Sequence, residues 1–177
     1  MKNILILTSI IAIFFACNKP KPINYIYEPG EMKYGFATYQ KNGQTGKASG
    51  ETKYNNDIFN LTFNTFSKEG SLLEFWSILS IKRQIGKYKV FKFSSINDIV
   101  KSRYTTFRGE DAGLNAYVVD ETQDNFVEVT SIDSLMVKGI FQVHYKIDTL
   151  SKKIVDDLMD PDKVDYTNGK FEVKLKK

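Results

Sequence analysis

The sequence predicts an all-β fold: about ten antiparallel strands forming a barrel-like meander, with a β-sandwich as the alternative arrangement. Three observations carry this expectation. From residue 33 onward Tyr, Phe, Ile, Val and Thr dominate, the residue types that suit a pleated, half-buried surface. Gly, Asn and Asp interrupt them at short intervals, as turns require. Several stretches alternate between apolar and polar residues, which sets one face on a core and leaves the other in water. Closure into a barrel removes the sheet edges that a small all-β domain must otherwise protect.

The strands are expected, in order, over residues 33–40, 45–54, 57–67, 71–81, 87–93, 102–108, 114–120, 125–131, 134–148 and 170–176. Asn42-Gly43 separates the first two and favours a type I′ hairpin, whose central residues both need positive φ. Glu69-Gly70 and Asn168-Gly169 are read as later turns of the same kind. In 57–67, Phe59, Leu61 and Phe63 oppose Asn60, Thr62 and Asn64. In 71–81 both faces are apolar, with Leu72, Trp76 and Ile78 opposite Leu73, Phe75, Leu79 and Ile81. Such a strand is central, or has one face covered. In 139–147, Phe141, Val143, Tyr145 and Ile147 share a face, and Ile140, Gln142, His144 and Lys146 the other. In 170–176, Phe171, Val173 and Leu175 point one way, and Lys170, Glu172, Lys174 and Lys176 the other. Two short helices are possible, over 94–100 and over 151–158, the second stopped before Pro161.

The N-terminus has a different character. Lys2 precedes an uncharged run from Ile4 to Phe15, shorter than the about 20 apolar residues that span a bilayer. Its length is that of a signal-peptide core, and the small residue Ala16 follows it. Next comes Cys17, the one cysteine of the chain. That position favours a lipid acceptor, cleaved between Ala16 and Cys17, over a buried free thiol. Three segments follow: a lipoprotein signal peptide over 1–16, a lipidated tether over 17–31 and one antiparallel β-domain over 32–177. A mature lipoprotein with several acyl chains stays on its membrane, because each buried methylene contributes about 0.8 kcal/mol. The tether, with Pro20, Pro22 and Pro29, reads as an extended spacer. No second cysteine exists to form an intrachain disulfide, so stability must come from the core.

The 177 residues are 42% hydrophobic and 14% aromatic. Removing the signal leaves about 160, enough for one domain. The formal net charge of +4, less that of Lys2, is +3 after cleavage. That charge is too small and too evenly spread for a nucleic-acid footprint.

The segments Gly113-Leu114-Asn115-Ala116-Tyr117, Phe126-Val127-Glu128-Val129-Thr130, Val137-Lys138-Gly139-Ile140-Phe141-Gln142-Val143 and Val164-Asp165-Tyr166-Thr167-Asn168-Gly169-Lys170-Phe171, with Gly86-Lys87-Tyr88, resemble a pattern of small Bacteroidetes-type lipoproteins of uncharacterised all-β domain families. Phe14, where a standard lipobox has Leu, resembles the relaxed lipobox of that group. The resemblance covers most of 33–176 and implies an all-β lipoprotein of the cell envelope, on the outer membrane. The tether lacks the early acidic cluster that resembles an export signal to the outer face, which leans towards the periplasmic side. The resemblance brings no catalytic residue and no ligand.

The residues themselves offer little chemistry. His144, the only histidine, is expected on a wet strand face rather than in a triad or metal site. Asp156, Asp157, Asp160, Asp162 and Asp165 share one loop without EF-hand spacing, so a solvated loop is expected rather than a calcium site. Glu110-Asp111 lies in a loop, and Glu51, Glu69 and Glu128 are scattered. Glu74 stands out as a carboxylate on an apolar strand, where burial and pairing with Lys or Arg of a neighbouring strand are expected. No glycine-rich phosphate loop occurs. Trp76, Phe75, Tyr88, Phe91, Phe93, Tyr104, Phe107 and Tyr117 are expected mainly as core, and otherwise as the lining of an apolar pocket.

The sequence thus predicts no catalytic, cofactor-binding or metal residue, and a lipidation site at Cys17. The leading expectation is a non-enzymatic, membrane-anchored module that binds a protein or small apolar ligand and no nucleic acid. A lipocalin-like carrier is the alternative, and needs a cavity on the order of several hundred cubic ångströms. A carboxylate-dependent envelope hydrolase is the third, and needs two carboxylates roughly 5–9 Å apart across a cleft.

Overall fold

The computed structural model describes residues 33–55, 57–94, 99–107, 113–150 and 161–176. The signal peptide, Cys17 and the tether therefore lie outside the described residues, as do Glu110, Asp111, Asp156, Asp157, Asp160 and the candidate helix 151–158. Eleven strands follow one another: β1 (Gly35–Lys41), β2 (Gln44–Asn55), β3 (Ile58–Phe66), β4 (Leu72–Lys82), β5 (Gly86–Lys89), β6 (Phe91–Lys92), β7 (Lys101–Phe107), β8 (Gly113–Val119), β9 (Phe126–Ile132), β10 (Met136–Ile147) and β11 (Lys163–Lys174). No helix occurs among the described residues. Of the candidate helix 94–100, residues 95–98 are not described, and Ser94, Ile99 and Val100 are not helical.

The wall closes. β1, β2, β3, β4, β7, β8, β10 and β11 pair in that order, all antiparallel, and β11 returns to β1. This is the barrel of the sequence expectation, and the sandwich alternative falls away. The other three strands fill a gap in the wall. β10 pairs with β8 only over Tyr145–Ile147, and with β9 over Val137–Gln142. β5 pairs with β9, and β6 runs parallel to β7. β5 and β6 are the expected strand 87–93, interrupted at Val90, which turns from β9 towards β7 by donating its N–H to the Asn125 carbonyl (2.9 Å).

Local chemistry explains the register. Asn42 and Gly43 hold φ of 49° and 81°, the signature of the expected hairpin. Glu69-Gly70 sits in a turn closed by the Ser67 N–H to the Ser71 carbonyl (2.8 Å). Asn168-Gly169 departs from expectation, for it is no hairpin turn. Asn168 has φ of 51° inside β11, where the chain bulges against both neighbours, between Thr38 and Gln40 on β1 and between Phe141 and Val143 on β10. A bulge spends one extra residue and so reverses which parity faces inward. Before it Val164 and Tyr166 are buried; after it Phe171 and Val173 are. The last strand therefore begins at Lys163 and not at 170. Ser80, with φ of 63°, does the same in β4, so that Ile78 and Ile81 both point inward. The Asn60 side chain accepts the Ser80 N–H there (2.8 Å).

The two Gly-x-Phe segments of β10 and β11 face each other reciprocally. Gly139 lies opposite Phe171, and Phe141 opposite Gly169. Each phenyl ring lies over the partner glycine, where a Cβ would stand 2.5 Å from the Phe171 ring and 2.6 Å from the Phe141 ring. Any side chain at either glycine must displace a buried ring. Gly139→Ala should therefore lower stability by about 1–3 kcal/mol, the usual cost of overpacking, seen as a lower urea midpoint at unchanged slope. A variant as stable as the parent would mean that the Phe171 ring and the Glu128 backbone carbonyl, which the new Cβ meets first, both have room to move.

Candidate site at one end of the barrel

Strand directions define two ends. The Asn42-Gly43 turn, the Ser67–Ser71 turn and the start of β11 share one end, because β1, β3 and β10 run towards it. The interior differs along the axis. Far from this end it is aliphatic and phenyl, with Phe59, Leu61, Ile78, Ile81, Phe171 and Val173 buried. Nearer to it the rings carry polar atoms. Phe141 stacks on Phe63 (5.7 Å between centroids), Phe63 on Trp76 (5.3 Å), and Trp76 on Tyr166 (4.8 Å). Tyr166 meets Tyr104 edge-on (5.6 Å), and Tyr104 packs on Tyr117 and Tyr145 (4.8 and 5.4 Å). Rings thus fill the barrel along this line, each pair adding about 0.5–1.5 kcal/mol beyond burial.

A charged group is set into these rings. Glu74 on β4 is 4% exposed and turned inward, two residues before Trp76 on the same face. Its Oε1 is bound by the Lys41 ammonium of β1 and accepts a hydrogen bond from the Tyr104 hydroxyl (2.8 Å). Its Oε2 accepts one from the Thr65 hydroxyl (3.2 Å). The Lys41 ammonium also donates to the Tyr104 oxygen (3.1 Å) and stands 5.6 Å from that ring's centroid. Its side chain is 18% exposed, so the pair lies just beneath the surface of this end. Burial and pairing of Glu74 are as expected; the location of the partner is not. Lys41 belongs to β1, separated from β4 in the sheet by β2 and β3, and reaches Glu74 across the interior. Closure of the wall makes the contact, and a strand list cannot supply it.

The tyrosines respond to burial and charge. Burial first, then the Glu74 carboxylate, push the Tyr104 hydroxyl well above its usual range. Tyr166 is raised for the same two reasons. Burial raises Tyr145 as well, against the opposing effect of its hydrogen bond with Ser102 (2.5 Å). Trp76 is fully buried, and its indole N–H finds no partner among the described residues.

The other sequence candidates are dispersed. Tyr117 joins Trp76 and Tyr104 in the interior and donates to the Pro161 carbonyl (3.1 Å). Phe75, Tyr88, Phe91 and Phe107 are half-buried, and Phe93 is exposed, so these five are not interior core. Phe75 and Phe93 lie under the Arg103 guanidinium (5.4 and 5.6 Å). His144 stays on the outer face, as expected, with Nδ1 2.7 Å from Asp165 Oδ1. Asp162 is exposed, and Glu51, Glu69 and Glu128 take no part in the interior cluster. No three His, Cys, Asp or Glu side chains gather as a metal site among the described residues. Lys41, Thr65, Tyr39 and Tyr166 were not singled out in the sequence, and Tyr145 only as a member of the apolar face of 139–147. The available signal was parity: Ala37, Tyr39 and Lys41 share a strand face, as do Tyr145 and Phe141.

The fold and site define an antiparallel β-barrel with a charge pair set among aromatic rings at one end. Compared with protein-family models, curated proteins and solved structures, the chain matches none.

Two outcomes follow from the cluster. Removing one member leaves an uncompensated charge in a dry setting, so Lys41→Met and Glu74→Leu should each cost about 3 kcal/mol. The double variant should cost clearly less than the two losses together, as read in a double-mutant cycle by urea unfolding. Additive losses would show that the two side chains do not act as a pair. Raised tyrosines also set an alkaline limit. Below pH 10 they are protonated whether the chain is folded or unfolded, so they leave stability unchanged. Above it the unfolded chain loses protons that the native state keeps, and stability falls as pH rises. The urea midpoint should therefore drop above about pH 10, and drop less in Tyr104→Phe.

Proposed function

We propose that this chain is a lipid-anchored envelope protein whose barrel is a non-enzymatic binding module, open to its ligand at the Lys41–Glu74 end. Cys17, directly after an apolar run and Ala16, supports the anchor, and the likeness to small Bacteroidetes-type lipoproteins agrees with it. The observation that carries the binding reading is the buried pair. Charges set into a ring-filled interior often stabilise less than apolar residues of the same volume, so retaining them asks for a role beyond stability. The Lys41 ammonium, its side chain 18% exposed, is the donor that this pair presents towards the end of the barrel, where an acceptor group arriving from outside meets it. The chemistry fits a small apolar ligand that ends in a carboxylate or carbonyl.

The closed eight-strand wall supports a second reading, the lipocalin-like carrier, since barrels of this size hold one small ligand. Deep entry would require the Trp76–Tyr166–Tyr104 rings to part, so we place the ligand at the end and not along the axis. A carboxylate hydrolase draws no support from the cluster, in which Glu74 is joined by Lys41, Thr65 and Tyr104 and not by a second carboxylate.

Trp76 is the only tryptophan and reports on its own site. Straight-chain fatty carboxylates should shift or quench its emission saturably, and Lys41→Met should weaken that response at least about tenfold, the loss of one charged hydrogen bond. Emission that ignores every chain length, in protein and variant alike, would refute this ligand class. In cells, Cys17→Ala should move the protein from the membrane to the soluble fraction; retention of an unlipidated chain on the membrane would refute the lipid as its sole anchor.

A further inference from the structure

We infer that the opposite end of the barrel is a docking surface for an anionic lipid bilayer. The inference deepens the anchored reading and rests on it for delivery of the domain to the membrane. β2, β4 and β9 end here, and their turns carry Ile58, Ile85 and Leu135, exposed by 42%, 65% and 71%. These are three of the five large apolar side chains exposed among the described residues. Of the others, Phe93 lies under Lys101 and Arg103, and Leu150 is at the far end.

The three tips are held, not loose. Asp133 accepts the N–H groups of Leu135 (2.7 Å) and Met136 (2.8 Å), which fixes the turn that presents Leu135. The Arg83 N–H donates to the Asp57 carbonyl (2.6 Å), which ties the link bearing Ile85 to the turn bearing Ile58. A single exposed apolar side chain is ordinary, but here three stand at one end of the domain, where basic side chains gather as well.

The charge at this end identifies the cover. Lys53, Lys82, Arg83 and Lys174 are exposed there, against Asp57 and Asp133 on the turns. Tyr54 lies under the Arg83 guanidinium (5.1 Å) and Tyr34 under the Lys176 ammonium (2.6 Å). Basic side chains are drawn to anionic headgroups, tyrosines favour the interface, and apolar tips enter the acyl boundary. A protein partner would be served by the same tips, but the direction of the chain favours lipid. β1 starts at this end, with the Tyr34 carbonyl accepting from Lys174 (2.7 Å), so the segment leading back to Cys17 departs from this rim. The far end is mixed in sign, with Asp148, Asp162 and Asp165 beside the exposed Lys68, Lys146 and Lys163.

The test uses the mature lipoprotein in vesicles of phosphatidylglycerol and phosphatidylcholine. A nitrobenzoxadiazole label is placed at Leu135→Cys, at Ile85→Cys or, as the far-end control, at Lys68→Cys. The first two labels should show blue-shifted emission and loss of intensity with brominated lipid, and the control neither. Lys82→Glu with Arg83→Glu should return the Ile85 label to water, and so should high salt, while the protein stays with the vesicles. Trp76 emission checks that each variant is folded. Labels in water at both positions on vesicle-bound protein would overturn the docking surface alone. Protein free in the supernatant would overturn the anchored reading and this one with it.

Discussion

Everything in the barrel hangs on β11, the strand that joins β1 to β10 and turns an open sheet into a wall. Cys17 leaves no cysteine for a disulfide within the domain, so closure must be held by pairing and packing alone. β11 does this with one local irregularity. At Thr167–Asn168–Gly169 it bulges against both neighbours at once, and the Asn168 side chain bonds Gln40 across the step (2.8 Å). The bulge bends the strand and changes its inward parity, so Tyr166 serves the polar half of the interior and Phe171 the apolar half. Without the change, one half of β11 would turn its large side chains to water, and the reciprocal contacts of Phe141 with Gly169 and Phe171 with Gly139 could not form.

The same division organises the core. Phenyl and aliphatic groups need nothing but contact, and they fill the half of the barrel away from the Lys41–Glu74 cluster. Tyrosine and tryptophan bring a polar atom with every ring, and burying it unpaired costs about 1–3 kcal/mol. Glu74 makes a tyrosine-rich interior tenable at the other end. One carboxylate accepts from Tyr104, Thr65 and Lys41, and Lys41 in turn balances its charge. The cluster is therefore a structural solution, and the Trp76 N–H and Tyr166 hydroxyl, buried without a partner among the described residues, mark where that solution is incomplete.

Much of the wall was legible because β-strands announce themselves by parity. Phe59, Leu61 and Phe63 read as an inward face and are one. Asn42-Gly43 read as a hairpin for the reason it forms one, since both residues must hold positive φ. Asn168-Gly169 misled because the same dipeptide that closes a hairpin also relieves a bulge, and only the strands on either side decide between them. The Glu74 partner was beyond reach for another reason. Burial of an acid on an apolar strand predicts that a base is near, but β1 and β4 meet only across a closed interior, and closure depends on the registers of eight pairings. The aromatics failed the same way: Phe75 and Tyr104 look alike in sequence, and the Arg103 that covers Phe75 from outside is a neighbour only by pairing of β4 with β7.

A barrel whose two ends differ has a direction, and direction matters for a tethered domain. At the end where β1 begins, chain departure, apolar tips and basic side chains coincide; at the other, turns of mixed charge surround a charge pair that lies just beneath the surface. Had the basic rim and the Lys41–Glu74 cluster shared an end, a membrane drawn to the rim would cover the cluster, and any ligand would have to arrive through the headgroups. Their separation by the length of the strands lets the surface attraction act over roughly a Debye length of 8–10 Å at one end without closing the other. The ring-filled interior between them keeps the two tasks apart, because a packed core transmits no opening from rim to cluster unless Trp76, Tyr166 and Tyr104 move together.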